Sequence, residues 1–269
     1  MKMTDMVKQI RQFAYPAIFL LVAGLPCFLF SCNKTGDSGT STGYQLSYGD
    51  SIIYLKPQAT DYIVLPTEPR TGTYTAFPDG IDINDVTGAI NVSKSETGLR
   101  YRITHTDPDG KQTTTQVVLS GINFPDKFYH LSQNDSIAFP IYNAVITNAL
   151  PVTGSSFDEG NSANSGGCSV RTANGQINLA QCVRNGIFGN TPQNDVRKDF
   201  DIFYRLNDAS SKSLNKIRVR LYYYATMADV APDLMQTLQD RVDQGVFLRS
   251  TRVAGVAKPR PPCVIIVGQ

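Results

Sequence analysis

The sequence predicts a mainly β protein in which a β-sandwich is followed by a small α+β module. Short apolar runs alternate with turn residues from Tyr44 to about Gly121, a pattern typical of all-β domains. Nearer the carboxyl end, longer alternating runs are followed by one amphipathic helical stretch. The chain has 269 residues, of which 41% are hydrophobic. This is enough for one large domain or two small ones, each with a packed core.

The first 31 residues have the features of an export signal. Three basic residues precede an apolar stretch over residues 13–30, as in the n-region and h-region of a secretory signal. Ser31 is then followed by Cys32, and this ending resembles the lipobox of bacterial lipoproteins. The resemblance implies cleavage before Cys32, attachment of fatty acyl chains such as palmitate, and membrane association through that anchor. The alternative is an uncleaved transmembrane anchor, which Pro16 and Pro26 disfavour.

Residues after the cysteine predict where the protein resides and how it is tethered. In the enterobacterial sorting rule, an Asp directly after the lipidated cysteine retains a lipoprotein at the inner membrane. Because this chain has Asn33 there, the resemblance implies an outer-membrane location, facing the periplasm or the cell surface. Residues 32–43 are rich in Gly, Ser, Thr and Asn and predict a flexible tether.

Seven short strands are predicted for the sandwich, over residues 44–122. Two turn sequences predict hairpins, one at Asp107-Pro108-Asp109-Gly110 and one at Asp85-Val86-Thr87-Gly88, because Pro, Asp and Gly favour the backbone angles of tight turns. The other prolines of this region lie between strands, where a missing N–H does no harm. The predicted strands are 51–55, 62–65, 72–76, 81–83, 89–92, 99–106 and 112–119.

A spaced set of residues spans the middle of this region: Pro78, Gly80, Ile81, Ile83, Thr87, Gly88, Ile90, Gly98 and Tyr101. The set resembles the pattern Pro-x-Gly-Leu-x-Ile-x-x-x-Thr-Gly-x-Ile, then Gly-x-Tyr, of immunoglobulin-like or cadherin-like modules in bacterial surface proteins. It departs from that pattern at Ile81, where Leu is usual, and by one extra residue before Tyr101. The resemblance implies an immunoglobulin-like β-sandwich. Such modules serve as spacers, adhesins and enzyme accessories, so the fold alone assigns no function.

The second module, over residues 123–269, is predicted to combine strands with two helices. Asn178 can cap a short helix on which Leu179, Val183 and Ile187 recur every four residues. Residues 229–242 form a second helical pattern with Pro232 in its first turn, and Gly245 fits a C-cap. A polar loop is predicted over 153–167 and another over 207–215. The predicted strands are 137–142, 144–147, 200–205, 217–224 and 263–267.

Charge and histidine content exclude several function classes. Without residues 1–31 the chain has 22 basic and 22 acidic residues, so it is neutral, and a nucleic-acid partner is not expected. The two histidines, His105 and His130, have no Cys or Glu at ligand spacing. Asp82, Asn84 and Asp85 suit a hairpin turn better than a calcium loop, which needs Gly at its sixth position. We therefore expect no metal and no other cofactor.

Three cysteines follow the lipidation site. Export would place Cys168 and Cys182 in an oxidising compartment, and their close spacing makes them the predicted disulfide pair. The alternatives are that Cys182 is a small core residue with Cys168 free in its loop, or that Cys263 competes for the bond.

Two further sets of residues are candidates for contact with a partner. Arg218, Arg220, Tyr222 and Tyr224 alternate along one predicted strand and would form a basic and aromatic face for a sugar or an acidic partner. The alternative is an ordinary solvated face. Asp50-Ser51-Ile52 and Asp135-Ser136-Ile137 resemble an O-glycosylation motif of some Gram-negative envelopes, which implies modification at Ser51 and Ser136.

Together these features predict a lipid-anchored cell-envelope protein with a binding, adhesion or structural role. Its partners would be the membrane, through the anchor, and an envelope protein or a glycan. The alternative is a carbohydrate-processing accessory or hydrolase with its site at the junction of the two modules. We expect no catalytic activity, because no acid, base and nucleophile can be assigned to one site from the sequence.

Overall fold

The computed structural model describes residues 43–243 and 262–268. Within them there are three α-helices, α1 (Ser162–Ser165), α2 (Leu179–Arg184) and α3 (Pro232–Asp243). The strands in chain order are β1 (Ile52–Ile53), β2 (Ile63–Val64), β3 (Thr73–Phe77), β4 (Asp82–Ile83), β5 (Ile90–Asn91), β6 (Leu99–Thr106), β7 (Gln112–Leu119), β8 (Ile122–Asn123), β9 (Lys127–His130), β10 (Ile137–Ala138), β11 (Ile141–Tyr142), β12 (Ser156–Phe157), β13 (Ile177–Asn178), β14 (Val196–Arg205), β15 (Leu214–Tyr224) and β16 (Cys263–Val267).

The first part of the described chain is a β-sandwich of two sheets. One sheet has the order β1-β7-β6-β3 and the other the order β2-β5-β4. Both predicted hairpins are confirmed: β6 pairs with β7 in antiparallel register, and β4 pairs with β5. Residues on one face of β6 are buried and those on the other are half-exposed, as expected for a strand that covers a core on one side. Leu99, Tyr101 and Ile103 therefore lie in the sandwich core.

The second part is built around a five-stranded mixed sheet of order β12-β14-β15-β16-β9. The long hairpin β14–β15 is antiparallel, whereas β16 lies parallel to both of its neighbours. Every residue of β16 is buried, because both sheet faces are covered. Val264 and Ile266 pack into the main core of this part. Cys263 and Ile265 pack on the opposite face, under α3. The small α+β part predicted from the sequence is thus confirmed, although the boundary at 122/123 stays a prediction.

Some predicted elements differ from those observed. The strand predicted at 137–142 is two strands, β10 and β11, in different sheets. Phe139-Pro140 lies between them, and Pro140 has no N–H to continue a ladder. The strand predicted at 144–147 is a turn, since Asn143 and Ala144 have φ of 53° and 57°, outside the strand region. The short helix begins as expected, with the side chain of Asn178 accepting a hydrogen bond from the backbone of Gln181 at 2.9 Å.

The helix near the carboxyl end begins later than predicted. A 3-10 turn at Met227–Asp229 precedes it, with a capping box between Thr226 and Asp229, and α3 then begins at Pro232. Gly245, the expected C-cap, lies outside the described residues, as do the signal segment, Cys32 and the tether through Thr42. None of the helices formed by the described residues is long and apolar enough to cross a membrane.

Candidate binding site

The outer face of the five-stranded sheet carries the predicted arginine and tyrosine residues. Arg218, Arg220, Tyr222 and Tyr224 alternate on β15 with buried Ile217, Val219 and Leu221, so all four lie on one face, as the alternation predicts. The two halves of this face differ in exposure. We call the part around Arg218 and Arg220 the open end, and the part around Tyr222 and Tyr224 the covered end.

At the open end, each arginine is paired with an aspartate on β14. Arg218 donates two hydrogen bonds to Asp201 at 2.7 and 3.1 Å. Arg220 donates two to Asp199 at 2.6 and 2.7 Å. The register of the hairpin places these residues directly opposite one another, where opposite charges stabilise a sheet. Each arginine lowers the pKa of its partner carboxyl below the usual value.

The covered end corrects the expectation of an exposed aromatic face. Tyr222 and Tyr224 are buried, because Leu234 and Leu238 of α3 pack over them together with Val230. The Tyr224 hydroxyl donates to Asp195 at 2.8 Å, and burial raises its pKa. Neither tyrosine can act as a platform for a sugar ring in this arrangement, because α3 occupies that position.

A buried charged cluster lies next to the covered tyrosines. Arg241 of α3 contacts Asp126 at 2.9 Å, and the two side chains are only 8% and 7% exposed. Arg241 also donates to the sulfur of Cys263 at 3.0 Å, and the Cys263 backbone N–H donates to Asp126 at 2.6 Å. Burial raises the pKa of the Cys263 thiol, which keeps it protonated and poorly nucleophilic. The cluster thus ties α3 to the chain before β9 and to β16.

A groove lies between the sandwich and the open end. Its larger part is a cavity of about 710 Å³, and a second cavity of about 450 Å³ continues it along the sandwich. Both cavities are bordered by Gly80, Lys94 and Glu96. We call them together the junction groove. Its other named lining residues are Leu55, Asn215, Lys216 and Arg218 at the sheet, and Asp79 and Asp82 at the far end.

Charge is distributed unevenly along the junction groove. Lys216 and Arg218 border the end near the sheet, while Asp79 and Asp82 border the end on the sandwich. Lys94 lies on the shared rim and is paired with Asp61 at 2.9 Å. The groove is therefore basic at one end and acidic at the other, which suits an extended polar ligand that has both charged and hydroxyl or amide groups.

Two polar networks, the first buried and the second half-buried, hold chain segments next to this groove. The Tyr204 hydroxyl lies 2.9 Å from the Thr97 hydroxyl and accepts a hydrogen bond from the Ile122 backbone at 3.2 Å. Asn215 also donates to the Thr97 hydroxyl at 3.0 Å. A Cβ at Gly121 would lie 2.5 Å from that hydroxyl oxygen, so only glycine fits the close approach there.

The second network lies on the other side of the β14–β15 loop. Asp208 accepts hydrogen bonds from Ser120 at 3.3 Å and from Tyr142 at 2.8 Å. Ser213 in the same loop is buried, and its hydroxyl lies 3.5 Å from the carbonyl of Leu55. The loop is thus bonded to the sandwich and to the following segment at several points.

The predicted cysteine pair is brought together as free thiols. Cys168 and Cys182 are both buried and unlinked, as is Cys263. Hydrogen bonding to Cys182 and burial raise the pKa of the Cys168 thiol, and acceptance of that bond lowers the pKa of Cys182. The backbone of Ser169 also donates to the Cys182 sulfur at 3.1 Å. The disulfide stays a prediction, and Cys263 lies apart in the Arg241 cluster.

The remaining candidate residues are separated from one another. Ser51 is exposed just before β1, and Ser136 is half-buried just before β10. His105 is buried between the rings of Tyr44 and Tyr74, as a packing residue of the sandwich. In the described part of the chain, no three His, Cys, Asp or Glu side chains come together as a metal site would require.

The sequence reasoning missed Lys94, Glu96 and Lys216, because the groove joins a sandwich loop to a strand more than a hundred positions later. For Lys216 a signal existed, since it continues the alternation of Arg218 and Arg220. No sequence signal indicated the Asp126–Arg241 pair.

Comparisons with known proteins leave the family open. No family model matches the chain, and no curated protein matches it. Among solved structures, it is similar to the crystal structure of Drosophila N-cadherin EC1–4, with 11% sequence identity and a TM-score of 0.19. The match covers 66% of this chain and 48% of the cadherin chain, so it spans less than half of that protein's length. A likeness of this size assigns neither a fold family nor a function.

Proposed function

We propose that this chain is a lipid-anchored protein of the cell envelope that binds an extended polar ligand in the junction groove, without catalysing a reaction. The observation that carries the proposal is the groove itself, a cavity of about 710 Å³ between the sandwich and the five-stranded sheet, which are joined by the hydrogen bonds of Tyr204 and Asn215 to Thr97. The sandwich would act as an immunoglobulin-like module that presents the groove away from the membrane. The ligand would be an envelope protein or a glycan.

The anchor is supported by the amino-terminal pattern. Two or three acyl chains on Cys32 hold a protein at a membrane stably, whereas one chain gives only marginal binding. Replacing Cys32 with Ser should abolish fatty-acid incorporation and leave uncleaved precursor or soluble protein. Unchanged labelling with a radioactive fatty acid in that variant would contradict the anchor.

The chemistry of the groove supports a binding role. Lys216 is exposed and can exchange Asp201, 3.4 Å away, for an anionic group of a ligand. Arg218 and Lys94 are also largely exposed, and exposed ion pairs contribute little to stability. Two lining residues are already held in place, Asn215 by Thr97 and Leu55 by Ser213, which lowers the entropy that binding would otherwise cost.

Binding is tested with panels of envelope glycans and polar peptides on the purified chain. The double variant Lys94→Ala and Arg218→Ala should weaken binding of any hit by about ten-fold or more, since charged contacts are lost at two points of one groove. Lys111→Ala is the matched control, because Lys111 is exposed at the remote β6–β7 turn. Equal affinities for the double variant and the control would contradict the proposed site.

A hydrolase is the second candidate, and Glu96 is the observation that favours it. Glu96 borders both cavities of the junction groove, where a general acid or base would have to lie. Assays with esters, peptides and glycans test this candidate. Turnover that is lost in Glu96→Gln, while ligand affinity is retained, would replace the binding proposal by an enzymatic one.

A further inference from the structure

The edges of the two sandwich sheets, β1 and β2, lie along one side of the sandwich. β1 forms the edge of the four-stranded sheet and β2 the edge of the three-stranded sheet. Between them lies a cavity of about 550 Å³, which we call the seam cavity. The lining residues relevant here are Tyr48, Ile53, Tyr54, Lys56, Tyr62 and Val64.

On β1, alternate main-chain groups face away from the sheet. The backbone N–H groups of Val118 and Ser120 donate to the carbonyls of Ser51 and Ile53, and β1 is parallel to β7. In a parallel ladder, the residues between those that bond point their N–H and C=O to the other side. The main-chain groups of Ile52 and Tyr54 therefore face the free edge.

On β2, a second pair of residues also turns its main-chain groups away from the sheet. Val92 donates to the carbonyl of Tyr62 at 2.8 Å, and Val64 lies opposite Ile90 in the antiparallel ladder. Ile63 and Leu65 thus turn their N–H and C=O groups outward. Within the described part of the chain, these outward groups have no hydrogen-bond partner in the protein.

The side chains of β2 are also unusual for a free edge. Ile63 is 46% exposed and Leu65 is 56% exposed, so the strand is apolar on its solvent face as well as its core face. Proteins usually protect edges with charges, prolines, very short strands or covering segments. β2 is itself only two residues long, and the Thr67 N–H beyond it donates to the carbonyl of Ser47 at 2.8 Å. The free edge therefore consists of the main-chain groups of Ile63 and Leu65. The β3 edge is covered, since the Tyr74 N–H donates to the carbonyl of Asp85. On β14, the stretch not paired by β12 carries Arg197, Lys198 and Asp199, all exposed.

We propose that the free edge of β2, beside the seam cavity, is a strand-addition site, at which an extended apolar segment of a partner protein pairs with β2. The outward groups of Ile63 and Leu65 would bond its main chain. Alternate side chains would enter the seam cavity beside Ile53 and Val64. This proposal does not rest on the proposed function of the junction groove.

The main-chain chemistry favours a peptide over a glycan. A strand added to an edge gains affinity from main-chain hydrogen bonds and specificity from pockets for alternate side chains, and the seam offers both. The tyrosines are less available to a sugar. Tyr48 is buried with its hydroxyl bonded to Gly88 at 2.7 Å, and Lys56 lies 5.3 Å from the centre of the Tyr62 ring.

The test uses the full chain purified in detergent and a synthetic seven-residue peptide of alternating Thr and Val, acetylated and amidated at its ends. Amide hydrogen exchange at Ile63 and Leu65 should slow by about ten-fold or more when the peptide is bound, because both N–H groups gain an acceptor. Ile63→Pro removes one outward N–H without removing a bond to β5, so it should weaken peptide binding by about ten-fold. Ile63→Thr keeps that N–H and is the matched control, with a loss of about three-fold or less.

Three results would overturn the inference. The first is unchanged exchange at Ile63 and Leu65 with saturating peptide, which decides the question even if Ile63→Pro does not fold. The second is slowed exchange at Ile63 and Leu65 when maltohexaose replaces the peptide. If Tyr54→Ala abolishes that slowing, the site belongs to a glycan. The third is slowed exchange at Ile63 and Leu65 in the absence of peptide. If this slowing increases with protein concentration, the site belongs to a second copy of this chain. Lys111→Ala, at the remote β6–β7 turn, should leave all these readouts unchanged.

Discussion

The covered and open ends of the five-stranded sheet use the same chemistry in two environments. Arg241 meets Asp126 at 2.9 Å under α3, while Arg218 meets Asp201 at 2.7 Å in front of the sheet. The first pair is 8% and 7% exposed, and the second is 55% and 25% exposed. A buried pair is costly to break, whereas an exposed pair contributes little. The difference indicates that the covered end holds the fold together and the open end is free to exchange partners with a ligand.

Breaking the covered pair should have the largest effect. Asp126→Asn would leave the Arg241 charge buried without its counter-ion, and the expected loss is about 3–5 kcal/mol in the free energy of unfolding. Arg218→Ala at the open end should cost about 1 kcal/mol or less. Urea unfolding of both variants measures the contrast. Similar losses for the two would remove the distinction between the ends.

The cysteine pair is a second buried contact that can be tested. If Cys168 and Cys182 form the predicted disulfide after export, the closed loop should stabilise the fold by about 3 kcal/mol. Peptide mapping without reductant should then recover the two cysteines in one linked fragment, and reduction should lower the urea midpoint. Alkylation of Cys168 after the protein is unfolded without reductant would show that the pair remains two thiols.

The Tyr204 network is a buried contact between the sandwich and the five-stranded sheet, and it can be compared with an exposed tyrosine. Tyr204→Phe removes the hydroxyl that accepts a hydrogen bond from the Ile122 backbone and is hydrogen-bonded to the Thr97 hydroxyl. The buried groups of Ile122 and Thr97 then lose a partner, which should lower the free energy of unfolding by about 2 kcal/mol. Tyr62→Phe is the control, since Tyr62 is half-exposed and no hydroxyl hydrogen bond is seen for it within the described residues. Thermal unfolding should distinguish the two variants, and equal midpoints would show that the network does not lock the junction.

The smallest effect is expected from acid at the open end. The pKa values of Asp199 and Asp201 are lowered from 3.8 by Arg220 and Arg218. Their stabilising effect is therefore fully present above about pH 4 and is lost as pH falls through the lower folded values. The double variant Asp199→Asn and Asp201→Asn should be about 1 kcal/mol or less below the wild type at pH 6. This difference should shrink steadily as the pH falls below about 4. A difference that does not shrink in acid would contradict this origin.

Prediction from the sequence succeeded where neighbours in the fold are also neighbours in the chain. The strands β6 and β7 and their turn at Asp107–Gly110 have the predicted bounds, because alternation and turn residues are local signals. β16 was also predicted with its observed bounds, since a short apolar run suits a strand buried on both faces.

The site was less predictable, for a physical reason. The face of Arg218, Arg220, Tyr222 and Tyr224 follows from period two, but the coverage of the tyrosines depends on how α3 crosses the sheet. β9 was not predicted as a strand, because β16, with which it pairs, lies more than 130 positions later. The groove likewise depends on the approach of Lys94 and Lys216 from distant segments, which leaves no spacing signal.

The most direct test of the central claim is photo-crosslinking in intact cells. A photoreactive amino acid at position 214, an exposed position that lines the junction groove, is compared with one at position 109, in the exposed β6–β7 turn. We expect a discrete crosslinked species from position 214 that is absent at position 109 and that disappears when Arg218→Ala is added. Crosslinking that is equal at the two positions, or unaffected by Arg218→Ala, would contradict the groove as the binding site.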